Sequence, residues 1–133
     1  MQIAEAFPAV PGAILVVEDD PALGGLLHEV LEMAGYDVAM APSTADALAL
    51  LGERRFVGAI LDLQVLDGST FPVADLLRAG FVPYVFASGE VRPAIPQAHQ
   101  WAPFLPKPYP ITGLIKGLEW ARNTGVPRDA ELA

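Results

Sequence analysis

The sequence has no cysteine, few basic residues and no long hydrophobic run, and each of these absences excludes a class of function. Without cysteine among its 133 residues, the chain forms no disulfide, zinc–thiolate site, iron–sulfur cluster or thiol nucleophile. Eight Lys and Arg against 16 Asp and Glu give a net charge of −8, which argues against binding to nucleic-acid phosphates or to an anionic membrane surface. No apolar run approaches the roughly 20 residues that cross a membrane.

The start of the chain does not resemble a secretion signal. Residues 1–53 contain no Lys or Arg, and the first apolar run, Ile14–Val17, is short, whereas a signal peptide has a basic start and a longer apolar core. We therefore expect a cytoplasmic protein. Its length and its hydrophobic content of 53% are typical of one globular domain. We expect that domain to span residues 13–122, between an N-terminal arm at 1–12 and a C-terminal tail at 123–133.

Short apolar segments, typical of strands covered on both faces, alternate with helical patterns along the chain. The predicted strands lie at residues 14–17, 36–41, 56–61, 82–87 and 104–105. Asp20 before Pro21 predicts a helix start after the first strand, and a further helix is predicted at about residues 71–79. This alternation predicts an α/β domain built on a parallel sheet with right-handed crossovers.

The stretch before the last predicted strand is rich in proline, with Pro93, Pro96 and Pro103. Proline removes a backbone donor and clashes within a helix, so we expect a fourth helix that is short or degenerate. His99 and Trp101 lie in the same stretch. We expect His99 to be a surface or packing residue, and Trp101 either to anchor a partner or to cap the sheet edge.

Chemically useful side chains follow the predicted strands. Ligands bind beyond the carboxyl ends of the strands in an open parallel sheet, so these residues are expected on one rim. The rim would carry carboxylates after the first and third strands, a hydroxyl after the fourth and an ammonium after the fifth. These residues are Glu18, Asp19, Asp62, Ser88 and Lys107.

Each residue of this set also has an ordinary structural explanation. Glu18 and Asp19 fit solvated loop acids, and Asp20 beside them fits a helix cap. Ser88 fits a turn hydroxyl, Lys107 fits a surface lysine, and Asp62 fits the cap of the following turn. Asp62 differs because it ends a buried apolar run, where a carboxylate needs a partner or a metal ion. Clustered acids attract Mg²⁺, and a carboxylate beside such an ion can attack phosphorus. The set as a whole therefore indicates phosphoryl chemistry.

The sequence resembles the response regulator receiver (CheY-like) domains of bacterial two-component signalling over about residues 13–121. The family's first strand and acid pair are similar to Ile14-Leu15-Val16-Val17-Glu18-Asp19-Asp20, and its Lys-Pro-aromatic signature is similar to Phe104-Leu105-Pro106-Lys107-Pro108-Tyr109. The resemblance implies a flavodoxin-like, doubly wound fold whose five parallel strands lie in the order 2-1-3-4-5.

The resemblance also implies a role for each site residue. Asp62 stands at the phosphoacceptor position, and Ser88 and Lys107 stand where the family contacts the phosphoryl group. Ser88 and Phe104 fall on positions that move with activation, although Phe104 also fits a plain core aromatic. The implied cofactor is Mg²⁺, with these ligands: Glu18, Asp19, Asp62 and the backbone carbonyl of Gln64.

Two features depart from most receivers. The loop after Asp62 lacks the usual proline and has Gly68 six residues on. The segment Pro83-Tyr84-Val85-Phe86-Ala87-Ser88-Gly89-Glu90 is similar to the Pro-Phe-x-Phe-Ala-Thr-Gly-Tyr motif of an atypical, largely alphaproteobacterial subgroup of stand-alone receivers. That likeness implies a degenerate fourth helix and a sensor histidine kinase of the HWE/HisKA2 type, or a histidine phosphotransfer protein, as phosphodonor.

We therefore expect a single-domain response regulator that accepts a phosphoryl group on Asp62. It would signal to a downstream protein target or act as a phosphate sink, as a monomer or a weak homodimer. It would catalyse only its own phosphotransfer and slow autodephosphorylation, so we do not class it as an enzyme. The alternatives are a degenerate receiver that binds partners without phosphorylation, an aspartate-nucleophile phosphatase, which needs an acid where Gln64 stands, and a flavin-binding protein.

Overall fold

The structure, a computed structural model, describes residues 12–90 and 93–128. The arm expected at 1–12, apart from Gly12, and the tail beyond residue 128 lie outside the described residues. The main strands are β1 (Ala13–Val17), β2 (Asp37–Ala41), β3 (Phe56–Asp62), β4 (Tyr84–Ser88) and β5 (Phe104–Pro106). The α-helices within the described ranges are α1 (Pro21–Met33), α2 (Thr44–Glu53), α3 (Phe71–Ala79) and α4 (Ile111–Thr124).

The five strands form one parallel sheet in the order β2-β1-β3-β4-β5. This confirms the predicted doubly wound α/β fold and the strand order 2-1-3-4-5. The register pairs Val17 of β1 with Leu61 of β3, and Asp62 of β3 with Ala87 of β4. The carboxyl ends of these three strands therefore lie side by side at one edge of the sheet.

The core lies on both faces of the sheet, since successive strand residues point to opposite sides. Ile14 and Val16 pack with Leu118 of α4 in one cluster. Leu15 and Val17 belong to the cluster on the other face, which the buried side chains of α2 and α3 complete. Each large aliphatic side chain buried in this way contributes about 1.5–3 kcal/mol. No α-helix among the described residues is both long and apolar enough to cross a membrane.

Local capping residues place the start of α1 where the sequence predicts it. The Asp20 carboxylate accepts from the Ala22 N–H at 3.0 Å, and Pro21 occupies the first turn, where its missing N–H costs nothing. The helix is followed by Gly35 in the left-handed region at φ 97°. The Asp20 carboxylate is thus committed to capping, as the sequence predicts.

The stretch that follows β4 has no α-helix within residues 93–103, only a 3₁₀ turn at Gln97–His99. This confirms the predicted degenerate fourth helix. The buried His99 ring makes one hydrogen bond at each nitrogen, at 2.5 Å to the Tyr84 hydroxyl and at 2.7 Å to Asp75 Oδ1. Trp101 packs edge-on to Tyr84 with ring centroids 5.0 Å apart. Trp101 therefore caps the sheet edge, and His99 is a packing residue.

A small ribbon connects β3 to α3 and contacts the start of α2. Its two strands are Gln64–Val65 and Gly68–Ser69. At its tip, the Asp67 carboxylate accepts from the N–H groups of Thr44 and Ala45 at 2.7 and 2.9 Å, and the Thr44 hydroxyl donates to the Ser69 carbonyl at 2.9 Å. The first N–H groups of a helix lack partners within the helix, so the ribbon supplies acceptors that α2 needs.

Phe81, two residues after the end of α3, adopts a left-handed backbone with φ 58° while its side chain is 64% exposed. This conformation costs an L-residue about 1–2 kcal/mol, and glycine avoids that cost at the expense of roughly 0.5–1 kcal/mol of backbone entropy. We expect Phe81→Gly to raise the free energy of unfolding by about 0.5–1 kcal/mol. Urea denaturation measures the change in the free energy of unfolding. Phe81→Ala, which keeps the backbone strain, is the control. An alanine variant as stable as the glycine variant would contradict this account.

The contact between Asp67 and α2 predicts an acid-sensitive contribution to stability. The N–H groups of Ala45 and Thr44 hold the pKa of Asp67 below its ordinary value of 3.8. The stabilisation is therefore complete above that value and is lost as the pH falls through the lower, folded-state pKa. We expect Asp67→Asn to lower the melting temperature at neutral pH, and the difference from the native chain to shrink below about pH 4.

The matched control for Asp67→Asn is Asp46→Asn, which removes a charge from the first turn of the same helix. We expect a smaller loss of melting temperature from this control, because only a helix-dipole interaction is weakened. Equal losses in the two variants would show that the carboxylate of Asp67 acts through general charge and not through its two hydrogen bonds.

Candidate functional site

Three carboxylates meet at the carboxyl edge of the sheet. Glu18 and Asp19 directly follow β1, and Asp62 is the last residue of β3. The strands pair in register up to Val17 and Leu61, so the residues that follow them are brought side by side. One carboxylate oxygen from each acid lies within 4.8 Å of the others. Glu18 and Asp62 are only 6% and 7% exposed, so two of the three charges are largely removed from water.

The Lys107 ammonium lies between the two buried acids. Its Nζ is 2.9 Å from Glu18 Oε1 and 2.7 Å from Asp62 Oδ2. Lys107 follows β5, and its backbone N–H donates to the Ser88 carbonyl at 2.7 Å. The peptide bond between Lys107 and Pro108 is cis. The predicted rim thus brings together the acids and the lysine from the ends of three separate strands.

The electrostatics of the cluster combine burial with these ion pairs. Burial raises the pKa of Glu18, and the hydrogen bonds from Lys107 and the Asp20 N–H oppose that rise. Burial alone would lower the pKa of Lys107, but its hydrogen bonds to Asp62 and Glu18 outweigh burial and raise it. With Asp19, three carboxylates and one ammonium leave two uncompensated negative charges. A divalent cation carries the charge that balances them.

Backbone and hydroxyl donors orient the two buried acids. The Asp20 N–H donates to Glu18 Oε2 at 3.1 Å, and the Gln64 N–H donates to Asp62 Oδ1 at 3.2 Å. The Thr70 hydroxyl donates to the main-chain carbonyl of Asp62 at 2.6 Å. The contact that Gln64 makes with the site is therefore through its N–H, and its carbonyl stays a predicted metal ligand.

Ser88 and Phe104 lie on the two strands beyond β3. Ser88 ends β4, is 3% exposed, and its Oγ accepts from the Glu90 N–H at 3.0 Å. Its carbonyl receives the Lys107 N–H, so the hydroxyl position and the lysine are connected through the backbone. Phe104 pairs with Phe86 in the sheet and packs against the core on the α2 and α3 face. This packing fits a core aromatic, and the movement of Phe104 with activation stays a prediction.

Two residues near the acids escaped the sequence analysis. Thr70 precedes α3 in the position of a helix cap, so the sequence offers no sign that its hydroxyl contacts Asp62. Tyr109 has a hydroxyl buried from solvent without a hydrogen-bond partner among the described residues. Burial, reinforced by the negative charge of Glu18, raises the pKa of Tyr109 to about 12. Its place in the Lys-Pro-aromatic signature was the one signal that could have singled it out.

The residues present fit a hard divalent cation. The side-chain donors are all carboxylate oxygens, the ligand type that Mg²⁺ prefers, and Mg²⁺ uses few carboxylates and several waters. Glu18 and Asp62 would hold the ion from the buried side, and Asp19, which is half-buried, from the solvent side. Two buried acids that share a single ammonium have the excess negative charge that such an ion neutralises.

Comparisons with known proteins agree with this geometry. No family model matches the chain. The non-phosphorylated HemR receiver domain from Leptospira biflexa is 30% identical, with 88% of this chain and 98% of that chain covered and a TM-score of 0.71. The solution structure of SdrG from Sphingomonas melonis Fr1 is 32% identical, with 84% and 96% covered and a TM-score of 0.71.

A curated relative matches a shorter part of the sequence. The acid tolerance regulatory protein ActR from Rhizobium meliloti (strain 1021) is 33% identical over 66 residues, which are 50% of this chain and 34% of the relative. The chain thus spans about a third of the length of that relative. Taken with the sheet order, the acid cluster and Lys107, the near-complete match to a solved receiver shows that the chain belongs to the response regulator receiver (CheY-like) domains, which are signalling domains and not enzymes in the ordinary sense.

Proposed function

We propose that Asp62 accepts a phosphoryl group from the phosphohistidine of a sensor histidine kinase or a histidine phosphotransfer protein, in a Mg²⁺-dependent reaction. The observation that carries the proposal is the position of the Asp62 carboxylate. It is buried at the end of β3, 2.7 Å from the Lys107 ammonium and within reach of the acid pair Glu18 and Asp19. A nucleophile, a counter-charge and cation ligands therefore converge on one point.

The transfer exchanges one bond to phosphorus for another. An oxygen of the Asp62 carboxylate attacks phosphorus, and the P–N bond to the donor imidazole breaks. The imidazole leaves with the bonding electron pair, and its other nitrogen keeps its proton, so the leaving group is neutral. The Lys107 ammonium is placed to turn from the carboxylate to a phosphoryl oxygen and offset its charge. Mg²⁺, held by the three acids and the Gln64 carbonyl, would supply positive charge opposite the phosphoryl oxygens.

Ser88 is the proposed reporter of phosphorylation. Its Oγ accepts from the Glu90 N–H, which leaves the hydroxyl proton available to donate to a phosphoryl oxygen. The Ser88 carbonyl is bonded to the Lys107 N–H at the end of β5. A shift of Ser88 toward phosphate would therefore act on β5, the strand that holds Phe104. This path supports Ser88 and Phe104 as the switch pair.

The proposed output passes through proteins. The face formed by residues 93–103, β5 and α4 is the proposed contact surface for a downstream target, and without such a target the chain drains phosphate from its donor. Slow autodephosphorylation would then reset Asp62. We place the protein in the cytoplasm, because its phosphodonor depends on ATP-consuming kinases. We propose that it is a monomer or a weak homodimer. The motif at Pro83–Glu90 supports a donor of the HWE/HisKA2 type.

A phosphatase with an aspartate nucleophile fits the site less well. Such an enzyme needs a general acid two residues beyond the nucleophile, and that residue is Gln64, whose amide has no acidic proton to give. A receiver that acts without phosphorylation remains the alternative, and the first experiment below distinguishes it.

Phosphorylation is testable by intact-mass measurement. Incubation with a small acyl phosphate and Mg²⁺ should add about 80 Da, one phosphoryl group, in an adduct that hydrolyses with time. Removal of the cation by a chelator should suppress the adduct, because the charge that offsets the phosphoryl oxygens is lost. Asp62→Asn should abolish it, because an amide is not a competent nucleophile.

The matched control for Asp62→Asn is Asp46→Asn, which makes the same change on an exposed helix surface and should keep the full mass shift. An Asp62→Asn chain that gains the same labile mass would place the acceptor elsewhere. No adduct on the native chain, together with intact binding to a kinase, would favour the phosphorylation-independent module.

Lys107 should affect cation binding and phosphorylation in opposite directions. Its ammonium occupies the same Glu18 and Asp62 oxygens that a cation needs. We expect Lys107→Met to bind Mg²⁺ about threefold more tightly or better, since one competing positive charge is gone. Phosphorylation should slow by about tenfold or more, since the phosphoryl oxygens lose their counter-charge.

Isothermal titration calorimetry with Mg²⁺ measures the first effect of Lys107→Met and time-resolved mass measurement the second. Lys116→Met, at an exposed position on α4, should change neither quantity. Weaker Mg²⁺ binding by Lys107→Met would show that the ammonium supports the ligand geometry and does not compete with the cation.

A further inference from the structure

The buried hydroxyl of Thr70 has an unusual partner for its position. Thr70 stands at the N-cap of α3, but its side chain makes no capping hydrogen bond. The Ser69 hydroxyl accepts the Phe71 N–H at 3.0 Å in its place. The Thr70 side chain turns back along the ribbon and donates to the Asp62 carbonyl at 2.6 Å. Thr70 is 0% exposed, so this hydrogen bond is shielded from water.

Further hydrogen bonds fix the backbone around this contact. The Thr70 N–H donates to the Leu63 carbonyl at 3.1 Å, and the Leu63 N–H donates to the Ala87 carbonyl at 2.9 Å. The residue after Asp62 is thus held by β4 on one side and by Thr70 on the other. The Thr70 hydroxyl adds a hydrogen bond to the carbonyl of Asp62, which belongs to the peptide group between Asp62 and Leu63.

The orientation of that peptide group sets the path of the chain that follows Asp62, and so the position of the next backbone donor to its carboxylate. Ribbon residue Gln64 reaches the carboxylate through its N–H, and that N–H follows the chain direction set at Leu63. A rotation of the peptide group after Asp62 would therefore carry the Gln64 N–H away from the carboxylate, which would lose one of the groups that orient it toward Lys107.

We propose that Thr70 is a positioning residue for the phosphoacceptor: its hydroxyl holds the Asp62 carbonyl so that the Gln64 N–H stays on the carboxylate and keeps it oriented toward Lys107 and the acid pair. The inference rests on the proposed phosphorylation of Asp62. Thr70 touches no reacting atom, and it acts only through the main chain of Asp62.

The chain offers a matched control on the same ribbon. The Thr44 hydroxyl donates to the Ser69 carbonyl at 2.9 Å, and Thr44 is 9% exposed. Thr44→Val and Thr70→Val therefore each remove a sheltered threonine hydroxyl bonded to a ribbon or strand carbonyl, at nearly constant volume. Only the second loses the bond to Asp62. Thr70→Ser keeps the donor and is the conservative rescue.

The rate of phosphorylation by a small acyl phosphate at saturating Mg²⁺ is the first measurement. We expect Thr70→Val to slow it by about tenfold, the effect of a small misplacement of a reacting group. Thr70→Ser and Thr44→Val should stay within about twofold of the native chain. Melting temperatures should fall by similar amounts in the two valine variants, because each loses one buried hydrogen bond.

Hydrogen exchange of the Gln64 N–H in the metal-free protein is the second measurement. That N–H donates to Asp62 Oδ1, so its protection reports the carboxylate position without phosphorylation or cation. Thr70→Val should speed its exchange by about tenfold and Thr44→Val by less than about twofold. A loss of protection that only reflected lower global stability would appear equally in Thr70→Val and Thr44→Val.

The outcomes separate this inference from the proposed function. A native rate in Thr70→Val, or an equal slowing in Thr44→Val, would overturn the positioning role while leaving phosphorylation of Asp62 in place. If the native chain takes up no phosphoryl group, the proposed function fails. The hydrogen exchange of the Gln64 N–H then tests the positioning role of Thr70 independently. Unchanged exchange in Thr70→Val would then reject the inference, and faster exchange confined to that variant would support it.

Discussion

The arrangement of the site depends on one ammonium shared by two buried carboxylates. Lys107 bonds to Glu18 and Asp62, which precede it by 89 and 45 residues in the sequence. Removing two anions from water is costly unless a counter-charge compensates them. The sheet provides that compensation, because parallel pairing brings the carboxyl ends of β1, β3 and β4 to one edge and β5 delivers the lysine. The strand order that defines the fold therefore also determines which charged groups meet in the site.

The architecture could be predicted because its signals are local. Continuous apolar runs mark strands buried on both faces, and Asp20 with Pro21 marks the start of α1. The helix predicted at about 71–79 matches α3. Strand ends were less predictable: β4 begins at Tyr84 and not at Val82, since Pro83 before it lacks the N–H of a regular ladder. α4 continues to Thr124, two residues past the expected domain boundary, because nothing local stops it before Gly125.

The candidate site was predictable only in part. Its charged residues stand at strand ends, where the topology of the sheet brings them together. The family resemblance then assigned a role to each of them. Contacts made by ordinary residues across long sequence distances left no signal. His99 joins Tyr84 and Asp75, Asp67 caps a helix more than 20 residues earlier, and Thr70 looks like a helix cap but bonds to Asp62. Each depends on the tertiary structure, so no pattern of spacing or polarity reveals it.

The replacement of a fourth helix by a short 3₁₀ turn has a consequence for how this face responds to force. A helix satisfies its own backbone hydrogen bonds and can slide as a rod over the sheet. Residues 93–103 have no such internal ladder, and the buried imidazole of His99 joins them to β4 and α3. Their displacement from the sheet would have to break both hydrogen bonds of His99 and the contact of Trp101 with Tyr84, so the coupling of this edge to the sheet depends on buried side chains.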